Sequence, residues 1–434
     1  MREYKISYEV TENIANSTLY AYLGSFIAVD KTVGIHTTYI TATQHFFLFR
    51  NGSSNTTIKI DNVSVKEATR DNLARVDYTD GTSSLLVEPQ RTNLITYSED
   101  FSQSYWTETD ASVSLSTTTS PDGLATSYKL IPDDGTGGNR SIGKSFIGLS
   151  NNHTHTCFAK KGEYNYLMLR MRNSPNVGVM FDLENGTLNL NNPGAPYVDS
   201  EIESIGNGWY KCSITLDPSQ SGTSGQLFIS MSVGITGSET NSFSGDGTSG
   251  IYIWGCGLEQ GSYATSYIPN FGTALGVTRV QDQYEKTGIS NLINSEEGVL
   301  FAEMAALADD SVSRKISLNS GTFANQITVS YGSGVSNRIQ CIIYDGINVV
   351  VNMSYSSTNI TDFNKIAIKY ISGNTSLWVN GVEVDTDNAA FSGLSLSTLS
   401  FDNGSSTNFF YGKVKQLQVF KTALTDTELA ALTS

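Results

Sequence analysis

The chain has little charge, few prolines, four cysteines and four histidines, and each scarcity excludes something. Only 16% of its 434 residues are charged, and the balance is acidic, with a formal net charge of −15. A surface of that sign repels phosphate, which disfavours nucleic acid as a partner. Cys157, Cys212, Cys256 and Cys341 include no CxxC pair, so neither a zinc ribbon nor a redox dithiol is spelled out. Isolated buried thiols are expected, with one disulfide among the first three as the alternative. No apolar run approaches the length of a membrane-spanning helix, so no membrane insertion is expected. The N-terminus, Met1-Arg-Glu-Tyr-Lys-Ile-Ser-Tyr8, lacks the apolar core of a secretory signal. No short repeat period is found, which argues against a solenoid.

Polarity comes instead from Ser, Thr, Asn and Gly, alongside 22 Tyr and 19 Phe, a composition suited to many short strands joined by turns. The length allows roughly two to four domains. Tyr4, Ile6, Tyr8 and Val10 alternate with Lys5, Ser7 and Glu9, the period of a half-buried strand. Further strand patterns follow to Val65. A second series runs from about residue 107 to 282 and includes Thr154–Ala159, Tyr166–Met171, Trp209–Leu216 and Ile251–Gly255. In a third series, from 283 to 434, Lys365–Tyr370 alternates, and Ser376–Val384 reads as a hairpin whose Asn380-Gly381 suits a type I′ turn. Thr425-Asp-Thr-Glu428 is a capping box before Leu429-Ala-Ala-Leu432. The expected fold class is therefore all-β: tandem antiparallel β-sandwiches of jelly-roll type with one short C-terminal helix. The expected domains are a partial jelly roll at 1–68, a junction at 69–106 that opens the next sandwich, and sandwiches at 107–282 and 283–434. The junction carries Leu85-Leu-Val-Glu-Pro-Gln-Arg-Thr-Asn-Leu94, in which Leu85–Val87 is expected to seal the boundary with the N-terminal piece and Pro89 to break the strand.

Several motifs carry resemblances. Ile60-Asp-Asn-Val-Ser-Val65 is similar to the last strand of carbohydrate-binding-module-like jelly rolls. The first half of such a module is missing, so residues 1–66 are expected to be truncated, to pack on the neighbouring domain, or to be completed by an oligomer partner. The Trp378-Val-Asn-Gly381 hairpin, the last strand and Ala423–Leu429 resemble laminin-G and concanavalin-like domains. Ser84–Leu94 with Tyr97-Ser-Glu-Asp-Phe101 and Trp106, then Asn207-Gly-Trp-Tyr-Lys-Cys212, then Ile251–Pro269 leading to Val277-Thr-Arg279, together resemble a module of bacteriophage tail and other virion proteins. That resemblance implies a virion fibre or appendage protein on the surface of an extracellular particle. It implies attachment to host-surface polysaccharide or another glycan, neighbours among other virion proteins, and a homotrimer. It also accounts for the missing export signal, since virions leave by lysis.

No catalytic constellation stands out. His36, His45, His153 and His155 accompany no Gly-x-Ser-x-Gly elbow, and Glu201 with Glu203 reads as a solvated acid pair, so an enzyme is not expected. His153 and His155, at i and i+2 on a strand, face one way. By resemblance to some trimeric phage fibres, three chains would present six nitrogens to one iron. Asp61 matches the last-strand position that holds a structural calcium in jelly-roll modules. Ordinary histidines and a turn hydrogen bond at Asp61 are the plainer readings. Sugars are recognised by exposed aromatics with nearby amides or acids, which points to Tyr164, Tyr166, Tyr197 and Tyr263, whereas Trp106, Trp209, Trp254 and Trp378 sit in core-like patterns. The expected function is glycan attachment by a virion fibre. The alternatives are a capsid decoration or head fibre, a polysaccharide depolymerase or accessory module of a carbohydrate-active enzyme, and a bacterial adhesin fragment. An upstream signal peptide would favour the adhesin, and release of reducing ends would favour the enzyme.

Overall fold

In the computed structural model nearly every backbone donor is committed to antiparallel ladders, and the chain divides into two units: 1–70 with 91–279, and 71–90 with 280–434. The structure describes all residues except 1, 15–16, 43, 45, 54–55, 68–73, 80, 139, 148, 150, 173–175, 192–196, 218–223, 233–242 and 347.

The first unit begins with a small two-layer sandwich. One three-stranded sheet takes Gly34–Ala42, Arg2–Ile14 and Thr57–Glu67 in that order, and the other takes Phe26–Val29, Leu19–Tyr22 and Leu48–Asn51. The alternation at Ile6, Tyr8 and Val10 buries those side chains against Leu19, Ala21, Leu23 and Ile40. The piece therefore has a core of its own, and it also packs on its neighbour, with Tyr39 stacked on Phe271 at 5.1 Å. Completion by a partner is not needed to bury these core residues.

The rest of the first unit is a sandwich of two six-stranded sheets. One runs Thr107–Thr109, Ser141–Ile147, Ser224–Ser232, Tyr166–Arg172, Asn176–Asp182, Thr187–Asn191; the other runs Ala111–Leu115, Tyr128–Pro132, Ile251–Gln260, His153–Lys160, Trp209–Leu216, Tyr197–Gly206. Leu167, Leu169, Ile214, Ile229, Ile253 and Leu258 meet between them, all with no exposed surface. Trp209 and Trp254 pack with Phe158 in a separate cluster, and Trp106 joins the main core while its indole N–H donates to Tyr97 O at 3.1 Å.

The second unit is a sandwich of a seven- and a six-stranded sheet. The seven-stranded sheet runs Val382–Asp387, Thr375–Val379, Asn364–Ile371, Glu297–Ala306, Gly412–Phe420, Ser84–Val87, Arg75–Asp77. Here the structure differs from the sequence expectation. Leu85–Val87 does not seal a boundary with the N-terminal piece; it pairs with Gly412–Val414 and is a strand of the C-terminal sandwich. The stretch 69–106 thus divides after residue 90, and the central sandwich lies, in sequence, inside the C-terminal one. A four-residue strand carries too little periodicity to reveal a partner more than three hundred residues away. The hairpin behaves as its turn chemistry dictates, with Asn380 at φ 49° and Gly381 at φ 87°. The helix Asp426–Thr433 starts on its capping box: Glu428 N donates to Thr425 Oγ1 at 3.3 Å, and Thr425 N to Glu428 Oε2 at 2.8 Å. Leu429 then seals the outer face of the seven-stranded sheet against Val299, Phe301 and Trp378.

Candidate functional site

The residues singled out in the sequence fall on scattered elements. Tyr166 lies on the sheet with Asn176–Asp182, while Tyr197 lies on the edge strand of the opposite sheet, its hydroxyl 2.8 Å from Ser200 Oγ. Tyr164 precedes a strand and meets the ring of Phe243 edge-on at 5.4 Å; Tyr263, in the turn after Ile251–Gln260, lies under the Arg91 guanidinium at 5.2 Å. All four are half-buried. Asp61 is exposed and accepts from Asn62 N at 2.7 Å, the plain turn bond, next to a residue at φ 50°. His36 donates or accepts at Thr32 O, 2.7 Å away, and His45 lies outside the described residues. Glu203 faces Lys211 at 3.7 Å.

His153 and His155 do share one side of a strand, but both are buried within the chain's own sandwich, at 3% and 0% exposure. Their Nδ1 atoms face Asn151 O and Gly257 O, each at 3.1 Å. Beside them is an arrangement the sequence did not disclose. Cys212, Cys157 and Cys256 stand abreast on three neighbouring strands, all free and fully buried. Burial pushes the Cys157 thiol far up, out of the reactive range. Among the described residues no group of three or more His, Cys, Asp or Glu side chains is placed to hold a metal ion.

Burial also pulls His155 down to about 4, partly offset by its bond to Gly257 O. The imidazole is neutral in the fold and charges more readily in the unfolded chain, whose histidines titrate near 6.5. Its contribution to stability is complete above pH ~6.5 and lost as pH falls towards 4. At about 1.4 kcal/mol per pH unit the loss reaches about 3 kcal/mol. Denaturant titrations of the wild type and His155→Gln at pH 7 and pH 4.5 are expected to show a smaller acid loss in the variant; equal losses would contradict this.

One surface combines aromatic and hydrogen-bonding groups. In the six-stranded sheet of the second unit the order is Glu285–Lys286, Thr398–Ser400, Arg314–Asn319, Asn325–Tyr331, Arg338–Asp345, Val349–Ser356. Ile316, Leu318, Ile327, Val329, Cys341, Ile343 and Val351 point into the core. Period-two alternation sends their neighbours to the opposite face. There the register lines up Ser400, Ser317, Thr328, Ile342 and Asn352 as one row. Asn319, Gln326 and Tyr344 form a second row, and Lys315, Ser330, Gln340 and Ser354 a third. The floor is organised by its own bonds: Asn319 Nδ2 donates to Ser317 Oγ at 2.9 Å and Ser400 Oγ at 2.7 Å, and Gln340 Nε2 donates to Asn352 Oδ1 at 2.8 Å.

Two features leave this face unfinished. Gln326 is fully buried; its Nε2 donates to Phe323 O at 2.8 Å, but its Oε1 has no hydrogen-bond partner. A buried acceptor left unmade costs stability and marks a place for an incoming donor. Beside it Phe323, 37% exposed, and Tyr344 bring their rings to 4.6 Å at a 54° tilt. Aromatic rings next to fixed amides and hydroxyls can stack on a sugar ring while bonding its hydroxyls. The two strands Arg314–Asn319 and Asn325–Tyr331 were not picked out in the sequence. Their signal is there: every outward position but Lys315 is Ser, Thr, Asn or Gln, where a plainly solvated strand carries mixed charges.

A second aromatic surface lies on the small N-terminal sandwich. Tyr22 stacks on Phe46 at 5.1 Å and meets Phe26 at 4.8 Å, with Arg50 over Phe26 at 5.0 Å. It has few hydrogen-bonding groups, which makes it the poorer match to a hydroxyl-rich ligand.

No protein-family model matches the chain, and no curated protein matches it. Among solved structures it is similar to the IT-sialidase CBM40 of Ruminococcus gnavus bound to α2,3-sialyllactose, at 15% identity over 35% of this chain and 98% of that one, with a TM-score of 0.30. A heptameric SAP-like pentraxin from Limulus polyphemus matches at 14% identity over 35% of this chain and 74% of that one, with a TM-score of 0.28. Domains LG4-5 of the mouse laminin alpha1 chain match at 12% identity over 82% of this chain and 96% of that one, with a TM-score of 0.22. Likenesses this low carry no argument about ligand or activity, and the chain's character as antiparallel β-sandwiches rests on its own sheets.

Proposed function

We propose that the chain is a non-catalytic, glycan-binding protein of a bacteriophage appendage, and that it holds host-surface polysaccharide on the outer face of the six-stranded sheet in its second unit. The observation that carries the glycan reading is the pairing of Phe323 and Tyr344 with the unsatisfied Gln326 carbonyl. The virion reading, with its homotrimer and neighbouring virion proteins, is supported by the motifs at 84–106, 207–212 and 251–279 and by their order. The same face would serve an accessory module of a carbohydrate-active enzyme, and an assay for released reducing ends separates the two.

The test is binding to bacterial-surface oligosaccharides by wild type and by the double variant Gln326→Ala/Tyr344→Ala. Loss of one hydrogen bond and one stacking surface is worth about 2–3 kcal/mol, so affinity is expected to fall roughly 30- to 100-fold. Undiminished binding by a folded variant would refute this face as the site.

A further inference from the structure

Lys315 is 7% exposed, on the row with Ser330 and Gln340, and runs beside Phe409. Among the described residues no acidic side chain forms a salt bridge with it, in a chain with 42 acidic residues. Its buried peers are treated differently. Arg314, the preceding residue, is held by Asp310 at 2.7 Å, and Lys369, also 7% exposed, is held by Asp426 at 3.1 Å. An ammonium kept out of water without a counter-charge is a standing cost. We propose that Lys315 is the anion subsite of this face, where its ammonium receives the carboxylate of a hexuronate residue in an acidic polysaccharide. The inference rests on the glycan reading above and goes on to name the class of glycan. Burial alone displaces Lys315, pulling it below the usual lysine range, and no carboxylate opposes that pull. Charge complementarity selects an anion, and the surrounding hydroxyls and amides select a polyhydroxylated one. Lys315 and Gln326 are placed to act on one ligand: from Ser330, opposite Lys315, four residues along the strand lead to Gln326, roughly 14 Å by strand rise. That span suits an oligosaccharide rather than a single ion.

The experiment uses the full chain on an array of bacterial-surface oligosaccharides with uronate-bearing and neutral members of matched linkage, followed by calorimetry on the best binder of each kind. Uronate members are expected to bind at least ten-fold more tightly, with the margin shrinking as salt rises. Lys315→Met is expected to abolish the margin while leaving neutral binding alone, and Lys315→Arg to keep it. Removing an unpaired buried charge is also expected to leave the thermal midpoint of Lys315→Met unchanged or raised. Equal binding of the two classes, or a margin that survives in Lys315→Met, overturns the Lys315 assignment and leaves the glycan reading standing. A lowered midpoint in Lys315→Met would make Lys315 a structural cation and likewise overturn it. Binding to no member overturns both.

Discussion

Asn93→Ala is expected to destabilise the first unit by about 4 kcal/mol, read as a lower denaturation midpoint with its cooperativity intact. Asn93 is 1% exposed and uses both ends of its amide. Its Nδ2 donates to Cys256 O at 3.2 Å and to Ile268 O at 2.7 Å, and its Oδ1 accepts from Ile95 N at 3.0 Å and Leu258 N at 3.1 Å. Three chain segments meet on one side chain. Truncation removes all four bonds and strands buried backbone groups, each at a cost of about 1 kcal/mol or more. Asn93→Asp is the sharper control. It keeps the shape and the two acceptor bonds but turns a second oxygen towards two carbonyls, so it is expected to be at least as damaging. A loss under 1 kcal/mol in either variant would refute the clasp.

Arg75→Met is expected to cost the second unit about 3–5 kcal/mol. Arg75 reaches Glu88 Oε2 at 3.1 Å and is also bonded to Asp282 Oδ2, and both acids are under 5% exposed. The acids are tied by backbone as well: Glu88 N donates to Asp282 Oδ2 at 2.7 Å and Asp282 N to Glu88 O at 2.9 Å. Removing the shared cation leaves two carboxylates close together in a dry site. The triple variant Arg75→Met/Glu88→Gln/Asp282→Asn, which removes the charges together, is expected to recover much of the loss. Unfolding monitored for the single and triple variants decides this, and a triple variant no more stable than the single would show that charge is not the cause.

These two networks explain the stretch Leu85–Trp106 better than its sequence does. Its residues look like a junction because each is committed to a partner far along the chain: Val87 to Gly412, Glu88 to Asp282, Asn93 to Cys256 and Ile268. Features that depend on a few neighbouring residues were legible. The alternation at Tyr4–Val10 and Lys365–Tyr370, the Asn380-Gly381 turn and the Thr425–Glu428 capping box each specify their own local geometry. Features that depend on strand pairing were not. Nothing local in Cys157, Cys212 and Cys256 says that they will stand abreast, and nothing in Ser317, Thr328 and Asn352 says that they will share a row. The tyrosines at 164, 166, 197 and 263 were chosen for chemistry alone, and register sends them to different sheets and turns. The better candidate face was visible only as an absence of charge on the outward positions of two strands.

The account's central claim is that sugar rests on the outer face of the six-stranded sheet. The most direct measurement is a crystal structure of the full chain with a bound surface oligosaccharide identified on the array. The account predicts a pyranose ring against Phe323 and Tyr344, a sugar hydroxyl donating to Gln326 Oε1, and an acidic substituent at Lys315. Sugar found instead on the aromatic face of Tyr22, Phe26 and Phe46, or anywhere in the first unit, would contradict it.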